Sequence, residues 1–327
     1  MAPPELWFEQ TVPPKKYRKK RESSMAAVLA KAVAFVAIIA MGYLLKLAGF
    51  FRAKDFYLFS KVVIKITLPA AIVYNFSKIT MEYSLLVMCA AGLLCNLVTV
   101  VIGYLMNLSK SKETRAFAMI NMSGYNVGNF TMPFVQSFLS PMGFAVTSLF
   151  DAGNAVMCTG INYTLGSMVV GEEEKPSLKN ILLKLFSSVP FDAYVIMTVL
   201  ALLKIQLPAV ILSFAETAGS ANGFIALLML GIGFEIQMEK EKIAQIIKIL
   251  ATRYGLALLM ALGFYFLTPF GLEMRQALAI VSLGPISSVA PAFTGALNGD
   301  VELASAVNSL SIIISIVAIT AALIILL

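Results

Sequence analysis

The sequence predicts an all-α polytopic membrane protein of ten transmembrane helices, on three observations. The chain of 327 residues is 59% hydrophobic and only 13% charged, whereas soluble domains are about 45–50% apolar and about 25% charged. Beyond residue 25 it is almost entirely a succession of apolar runs separated by short polar breaks, each near the roughly 20 residues that a spanning helix needs. The runs are too long for barrel strands and lack period-2 alternation.

Taken in order, the runs lie at roughly 26–47, 56–77, 84–106, 115–137, 143–169, 187–204, 209–236, 245–268, 275–297 and 303–326. Residues 1–24 are polar, with proline pairs and a basic run from Lys15 to Arg21. Such a segment cannot bury a core and is expected to be a disordered tail, an extension ahead of a natural start at Met25. The run that follows it is too long for an ordinary signal peptide.

Lysine and arginine in short loops set orientation. The connections after spans 1, 3, 5 and 7 carry most of them, including Lys46, Arg52, Lys54, Lys110, Lys112, Arg115, Lys175, Lys179, Lys240 and Lys242. The opposite connections carry Lys78, Lys204 and Arg275. The first set is therefore expected on the cytoplasmic side, with both termini outside, although the basic tail runs against this assignment. The longest hydrophilic connection, Gly171 to Pro176, divides the spans five and five. An odd-numbered half re-enters the membrane in the opposite sense, which makes an inverted repeat of the kind found in secondary transporters. The expected layout is a tail over 1–24, a first repeat over 25–170, a cytoplasmic linker over 171–186 and a second repeat over 187–327.

Composition excludes several chemistries. The chain has no histidine, hence no imidazole base, metal ligand or pH switch. Cys89, Cys95 and Cys158 lie in apolar stretches without zinc-like spacing and are expected to be packing residues. No nucleotide-binding loop and no GxSxG elbow occurs. The net charge of +7 belongs to basic residues flanking the spans, where they face lipid headgroups and not nucleic acid. No enzyme activity, metal or cofactor is expected.

Two spans are interrupted at matching places. Span 4 contains Gly124, Asn126, Gly128, Asn129, Thr131 and Pro133; span 9 contains Gly284, Pro285, Ser287, Ser288, Pro291 and Gly295. Proline removes an amide donor and glycine weakens a helix. In lipid the freed backbone must find protein or water. The expected site is a crossing of these two broken helices, with half-helix N-termini turned to a carboxylate and freed carbonyls to a cation. The competing role is a pair of packing kinks, with Gly124 and Gly128 as a small-residue contact.

The motifs resemble the auxin efflux carrier family, a branch of the bile acid sodium symporter and auxin carrier-like superfamily. The resemblance rests on Gly42-Tyr43-Leu44-Leu45-Lys46 through Gly49-Phe50-Phe51, then Leu68-Pro69-Ala70 and Asn126-x-Gly128-x-x-Thr131-x-Pro133. Phe150-Asp151-Ala152-Gly153-Asn154, Leu230-Gly231-Ile232-Gly233 and Pro285 to Pro291 also fit, and only the tail lies outside. Thr131 stands where the family motif has glycine. The resemblance implies ten helices in two inverted five-helix repeats, with helices 4 and 9 crossing at their breaks. It implies permease activity on small organic anions, either auxin-like indole acids or malate- and malonate-like carboxylates, by alternating access. It also suggests a prokaryotic inner membrane as the location.

Asn126 and Asn129 are the first candidates for substrate contact, since amides donate and accept without carrying charge into the membrane. Asp151 lies about 8 residues into span 5, on the order of 12 Å along the helix. An acid at that depth is a candidate proton or cation site, and Asn154, one turn on, shares its face. Lys61 and Lys65 are expected to snorkel, Asp192 to sit at a helix start, and Glu235 to be solvated. Glu216 and Asn222 flank a further break near Gly219. The expected coupling ion is H⁺ or Na⁺. The expected partners are the anion and the bilayer, and a homodimer is compatible with the sequence without being required by it. The alternatives left open are a non-transporting sensor and a channel that bind a small carboxylate.

Overall fold

A computed structural model describes residues 15–171, 178–234 and 242–326. Among them the chain is helical, with a single isolated β-bridge and no strand. The order is α1 (Lys15–Leu47), then α2 (Asp55–Val62) running through a π-helical turn, Val63–Thr67, into α3 (Leu68–Phe76). α4 (Val87–Leu105), α5 (Lys112–Met122) and α6 (Met132–Phe138) follow, and α7 (Pro141–Val156) runs through the π-helical turn Met157–Ile161 into α8 (Asn162–Val170). The second half holds α9 (Leu178–Leu185), α10 (Val189–Leu202), α11 (Ala209–Ser220), α12 (Asn222–Gly233), α13 (Ile243–Leu267), α14 (Leu272–Ser282), α15 (Ala290–Ala296) and α16 (Val301–Leu326).

Seven helices are long and apolar enough to cross a membrane: Ala26–Leu47, Asp55–Phe76, Tyr83–Leu105, Pro141–Val170, Ala209–Gly233, Ile243–Leu267 and Val301–Leu326. A pair bent by 80°, Lys179–Leu185 with Val189–Leu202, would supply an eighth. The chain is thus a multi-pass helical membrane protein. The expected fourth and ninth spans are each two shorter helices, α5 with α6 and α14 with α15, because glycine and proline interrupt them.

Two boundaries differ from the sequence reading. The first helix begins at Lys15 and not at Ala26, so the expected disorder does not hold for residues 15–24. Lys, Arg and Glu are good helix formers, and extending an existing helix requires no new nucleus. The rest of the tail lies outside the described residues. The linker also contains α9, whose Ile181 and Leu185 are buried one turn apart while Lys184 is exposed. Residues 172–177, with the Glu172–Pro176 run, and Glu235 and Lys240 lie outside the described residues.

Serine caps fix two inner helices. Ser111 Oγ accepts from Thr114 N at 3.2 Å ahead of α5, and Ser140 Oγ accepts from Gly143 N at 3.3 Å ahead of α7, with Pro141 in the first turn. α5, α7 and α14 are the innermost elements. Ala116 to Met122, Gly143 to Phe150 and Gln276 to Ser282 are buried without interruption. α1, α4, α13 and α16 turn large apolar side chains outward, among them Val33, Leu94, Leu259 and Val317. That is the pattern of a bundle whose surroundings are lipid, where turning apolar side chains outward carries no penalty. Two helix pairs meet through glycines: a Cβ on Gly231 would overlap the Ile39 carbonyl across α1 and α12, and one on Gly153 the Cys89 carbonyl across α4 and α7.

Contacts between the connections sort them into two groups. Lys46 Nζ donates to Phe234 O at 2.5 Å, Lys248 Nζ to Asn107 Oδ1 at 3.1 Å, and Lys242 pairs with Asp300 at 2.7 Å. Lys112 Nζ lies 4.0 Å from where a Gly171 Cβ would be. These contacts gather the basic connections at one end of the bundle. Away from it, Lys31 Nζ donates to Ser137 O at 2.9 Å, Ser140 Oγ to Glu273 Oε2 at 2.7 Å and Gln276 Nε2 to Leu326 O at 2.6 Å.

Close helix approach at Gly153 predicts that Gly153→Val destabilises the purified protein by about 1–3 kcal/mol, the usual cost of overpacking. Gly263→Ala, where nothing lies within 4 Å, should be neutral or stabilising by up to ~1 kcal/mol. Thermal unfolding in detergent measures both, and equal effects would contradict the packing described.

Candidate functional site

The two interruptions meet. α5 stops at Met122, Ser123 is extended, and Gly124 has φ +77°, which favours glycine. The chain then passes Tyr125 and Asn126 into the π-helical turn Val127–Thr131 and α6. In the second half α14 stops at Ser282, and Leu283 to Val289 lead into α15. Tyr125 and Ile286 form an antiparallel bridge: Asn126 N donates to Pro285 O at 2.9 Å and Ser287 N to Gly124 O at 3.3 Å. A Cβ on Gly124 would lie 2.8 Å from Ser287 Cβ, so both space and backbone angle call for glycine there.

Asparagines hold what the bridge leaves unpaired. Asn96 Oδ1, from α4, accepts Gly124 N at 2.6 Å. Asn154, from α7, accepts Tyr125 N at 2.9 Å and donates to Tyr125 O at 2.9 Å. On the other strand Ser311 Oγ accepts Ile286 N at 3.1 Å, and Asn308 Nδ2 donates to the carbonyls of Ile286 and Ser287, each at 3.0 Å. Ser315 Oγ donates to Leu283 O at 2.7 Å. Asn154 and Asn308, on α7 and α16, thus perform the same task on opposite strands. Asn121 Nδ2 to Thr294 Oγ1 at 2.9 Å ties α5 to α15.

The expected residues fall as follows. Pro133 and Pro291 fall in the first turns of α6 and α15, and Pro133 follows directly on the π-helical turn Val127–Thr131. The backbone at the bridge is paired with itself and with side chains, not left open for a solute. Pro285 accepts from Asn126, and Ser287 is buried and bonded through its backbone. Gly128 lies where a Cβ would meet Leu68 at 3.0 Å and Asp151 Oδ2 at 3.9 Å. Thr131 Oγ1 donates to Asn126 O at 3.4 Å and would sit 2.7 Å from a Cβ on Gly284. A glycine opposite therefore makes room for the threonine that replaces the motif's glycine.

Asp151 and Asn154 do share a face: Asn154 Nδ2 donates to Asp151 Oδ1 at 2.9 Å, and Tyr194 OH donates to Oδ2 at 3.0 Å. Asn126 is buried, and Asn129 Oδ1 is buried without a partner. Ser288 is exposed and, like Pro291, stands outside this hydrogen-bond network. Asn222 joins a separate cluster with Thr67 and Gln136, while Glu216 is exposed and bonded to Tyr74. Asp192 lies in the first turn of α10 as expected.

Several members of the network escaped the sequence reading: Asn96, Asn308, Ser311, Ser315 and Arg253. Arg253 is 0% exposed in the middle of α13 and lies 4.0 Å over the Tyr125 ring, with Nη2 3.5 Å from Gly124 O. An ionisable residue inside an apolar run is itself the signal that would have found it.

The described residues form an all-helical bundle with several helices long and apolar enough to cross a membrane. A family model described as a membrane transport protein, that of the auxin efflux carrier family, matches residues 27–323, and the chain belongs to this family. It is a membrane transporter. Comparison with curated protein sequences finds no match.

The network predicts that Asn154→Leu, which strands a buried amide and carbonyl, lowers stability by about 2–6 kcal/mol, at ~1–3 kcal/mol for each group. Asn129→Leu, whose side-chain oxygen has no partner to lose, should be neutral or stabilising. Melting temperatures of the two purified variants decide the matter; an equal loss in both would contradict the assignment.

Proposed function

We propose that this chain is a secondary active carrier of small organic anions working by alternating access. Its ten spans form two inverted five-helix repeats, with the interrupted fourth and ninth spans crossing at the substrate site. The observation that carries this reading is the backbone bridge between Gly124–Asn126 and Pro285–Ser287, clamped by Asn154 from the fifth span of one half and Asn308 from the last span of the other. The gathering of the basic connections at one end supports the alternation of spans. With the cytoplasm on that side, both termini lie outside the cell membrane.

The chemistry of the crossing suits an anion more than a cation or an apolar solute. Asn126 and Asn129 stand beside it, and Arg253 brings a positive charge to the bridge carbonyl of Gly124. Asp151 is the candidate for the coupling ion, H⁺ or Na⁺. It is buried by its neighbours, hydrogen-bonded to Asn154, and one residue away from the bridge through that amide. Ion occupancy at Asp151 would then reach the crossing through Asn154.

Uptake of radiolabelled malate, malonate and indole acetate into proteoliposomes, with and without proton and sodium gradients, tests this reading. Saturable uptake stimulated by one gradient is expected. Binding without flux would indicate a sensor, and unitary currents a channel. Asp151→Asn should abolish gradient stimulation while leaving anion exchange across the membrane intact. Unchanged gradient dependence in that variant would remove Asp151 from the coupling step.

A further inference from the structure

We infer that Arg253 is the counter-charge for a single carboxylate of the transported anion, bound in a bidentate pair beside the crossing and reached from the basic end of the bundle. The inference rests on the carrier reading for its substrate class and on separate observations for the residue.

Arg253 is fully buried, and its Nε and Nη1 have no hydrogen-bond partner. Among the described residues it forms no salt bridge; the oxygens of Asp151 are taken by Asn154 and Tyr194. A charge in a membrane interior is costly, and an uncompensated buried charge is among the most destabilising features a fold can carry. The Tyr125 ring, 4.0 Å from the guanidinium carbon, offsets only part of that cost. The contact with Gly124 O, at 3.5 Å, is a long one. Two of the three guanidinium nitrogens therefore remain unsatisfied. A carboxylate pairs bidentately with one edge of the planar fork, Nε with Nη2 or Nη1 with Nη2, and so satisfies one of the two open nitrogens while sharing Nη2.

The position of Arg253 is also asymmetric between the halves. Asn96 on α4 binds the amide of Gly124, and Arg253 on α13 reaches the carbonyl of the same residue. One half thus contributes a neutral amide at the bridge and the other a cation.

An access route ends beside it. A cavity of ≈ 410 Å³ lies between α4, α5 and α13, with Asn107, Lys110 and Lys248 among its walls and Met122, Ile249 and Thr252 also lining it. Ile249 is one turn before Arg253 on the same face of α13. Met122 ends the helix that leads to Gly124. Lysines near the basic end would raise the local anion concentration, and the cavity stops a turn short of the guanidinium. Passage over that turn is the movement that alternating access requires.

The test is the thermal stability of the purified protein titrated with sodium malonate and with sodium indole-3-acetate, at ionic strength held constant with sodium chloride. A saturable rise in melting temperature is expected for the wild type and for Lys204→Gln, an exposed charge elsewhere. Arg253→Met should lose the shift. Arg253→Lys, which keeps the charge but not the fork, should weaken apparent affinity at least about tenfold; it carries the test if the methionine variant fails to fold. An unchanged shift in the Arg253 variants, or no saturable shift in the wild type, overturns the inference. Flux assays on the same proteins separate it from the carrier reading. Wild-type flux equalled by Arg253→Met removes the arginine and leaves the carrier. A shift lost in Arg253→Met without any wild-type flux keeps the binding site and removes the carrier.

Discussion

A backbone amide or carbonyl without a partner costs several kcal/mol in hydrocarbon, about the loss of a whole hydrogen bond in an apolar medium. Two helices that stop inside a membrane bundle therefore have to solve a pairing problem at the same place. Here they solve it largely for each other. Gly124 O and Asn126 N pair with Ser287 N and Pro285 O, and the groups that remain are taken by Asn96, Asn154, Asn308 and Ser311. Glycine at 124 follows from that geometry, because a left-handed backbone angle and the nearness of Ser287 both exclude a side chain. Pro291 follows too, as a residue in the first turn of the helix that resumes after the bridge.

This arrangement makes the crossing polar without making it open. The bridge is a pre-paired element, and the functional groups proposed here are those beside it: the partnerless Asn129 oxygen, the Asp151 carboxylate one amide away, and the Arg253 guanidinium over the Tyr125 ring. Acid and base both reach one short backbone bridge, Asp151 through Asn154 and Tyr125, Arg253 through Gly124. In the proposed mechanism a change in charge at either alters the field at the same backbone. The Lys side chains of the connections gather elsewhere, at the basic end of the bundle.

The fold was legible wherever a segment declared itself by continuous apolarity. α4, α13, α16 and the apolar part of α1 could be placed from the sequence because single polar residues and glycines do not break so long an apolar run. Glycine and proline mark both segments where helix gives way. In the first the turn is made by Gly124, well before Pro133, while in the second it includes Pro285. The helix over Lys15–Ser24 and α9 were missed because charged and amphipathic segments read as tail and linker when taken without their neighbours. Asp151 and Asn154 were readable as a pair from helical spacing alone. Asn96, Asn308 and Arg253 were not, because each is a single polar residue in a long apolar run, and its meaning comes from a strand distant in sequence.

What distinguishes a solute site from a pair of packing kinks is water. Ser288, exposed beside the bridge, reports on this when changed to cysteine in a chain whose own cysteines, Cys89, Cys95 and Cys158, have been replaced. A charged, membrane-impermeant methanethiosulfonate reacts only with a hydrated thiol. The account predicts that Ser288→Cys reacts with it and that added carboxylate slows the reaction. Labelling by a lipid-soluble maleimide alone, with no reaction from the charged reagent under any gradient, would show the crossing to be dry packing and contradict the account.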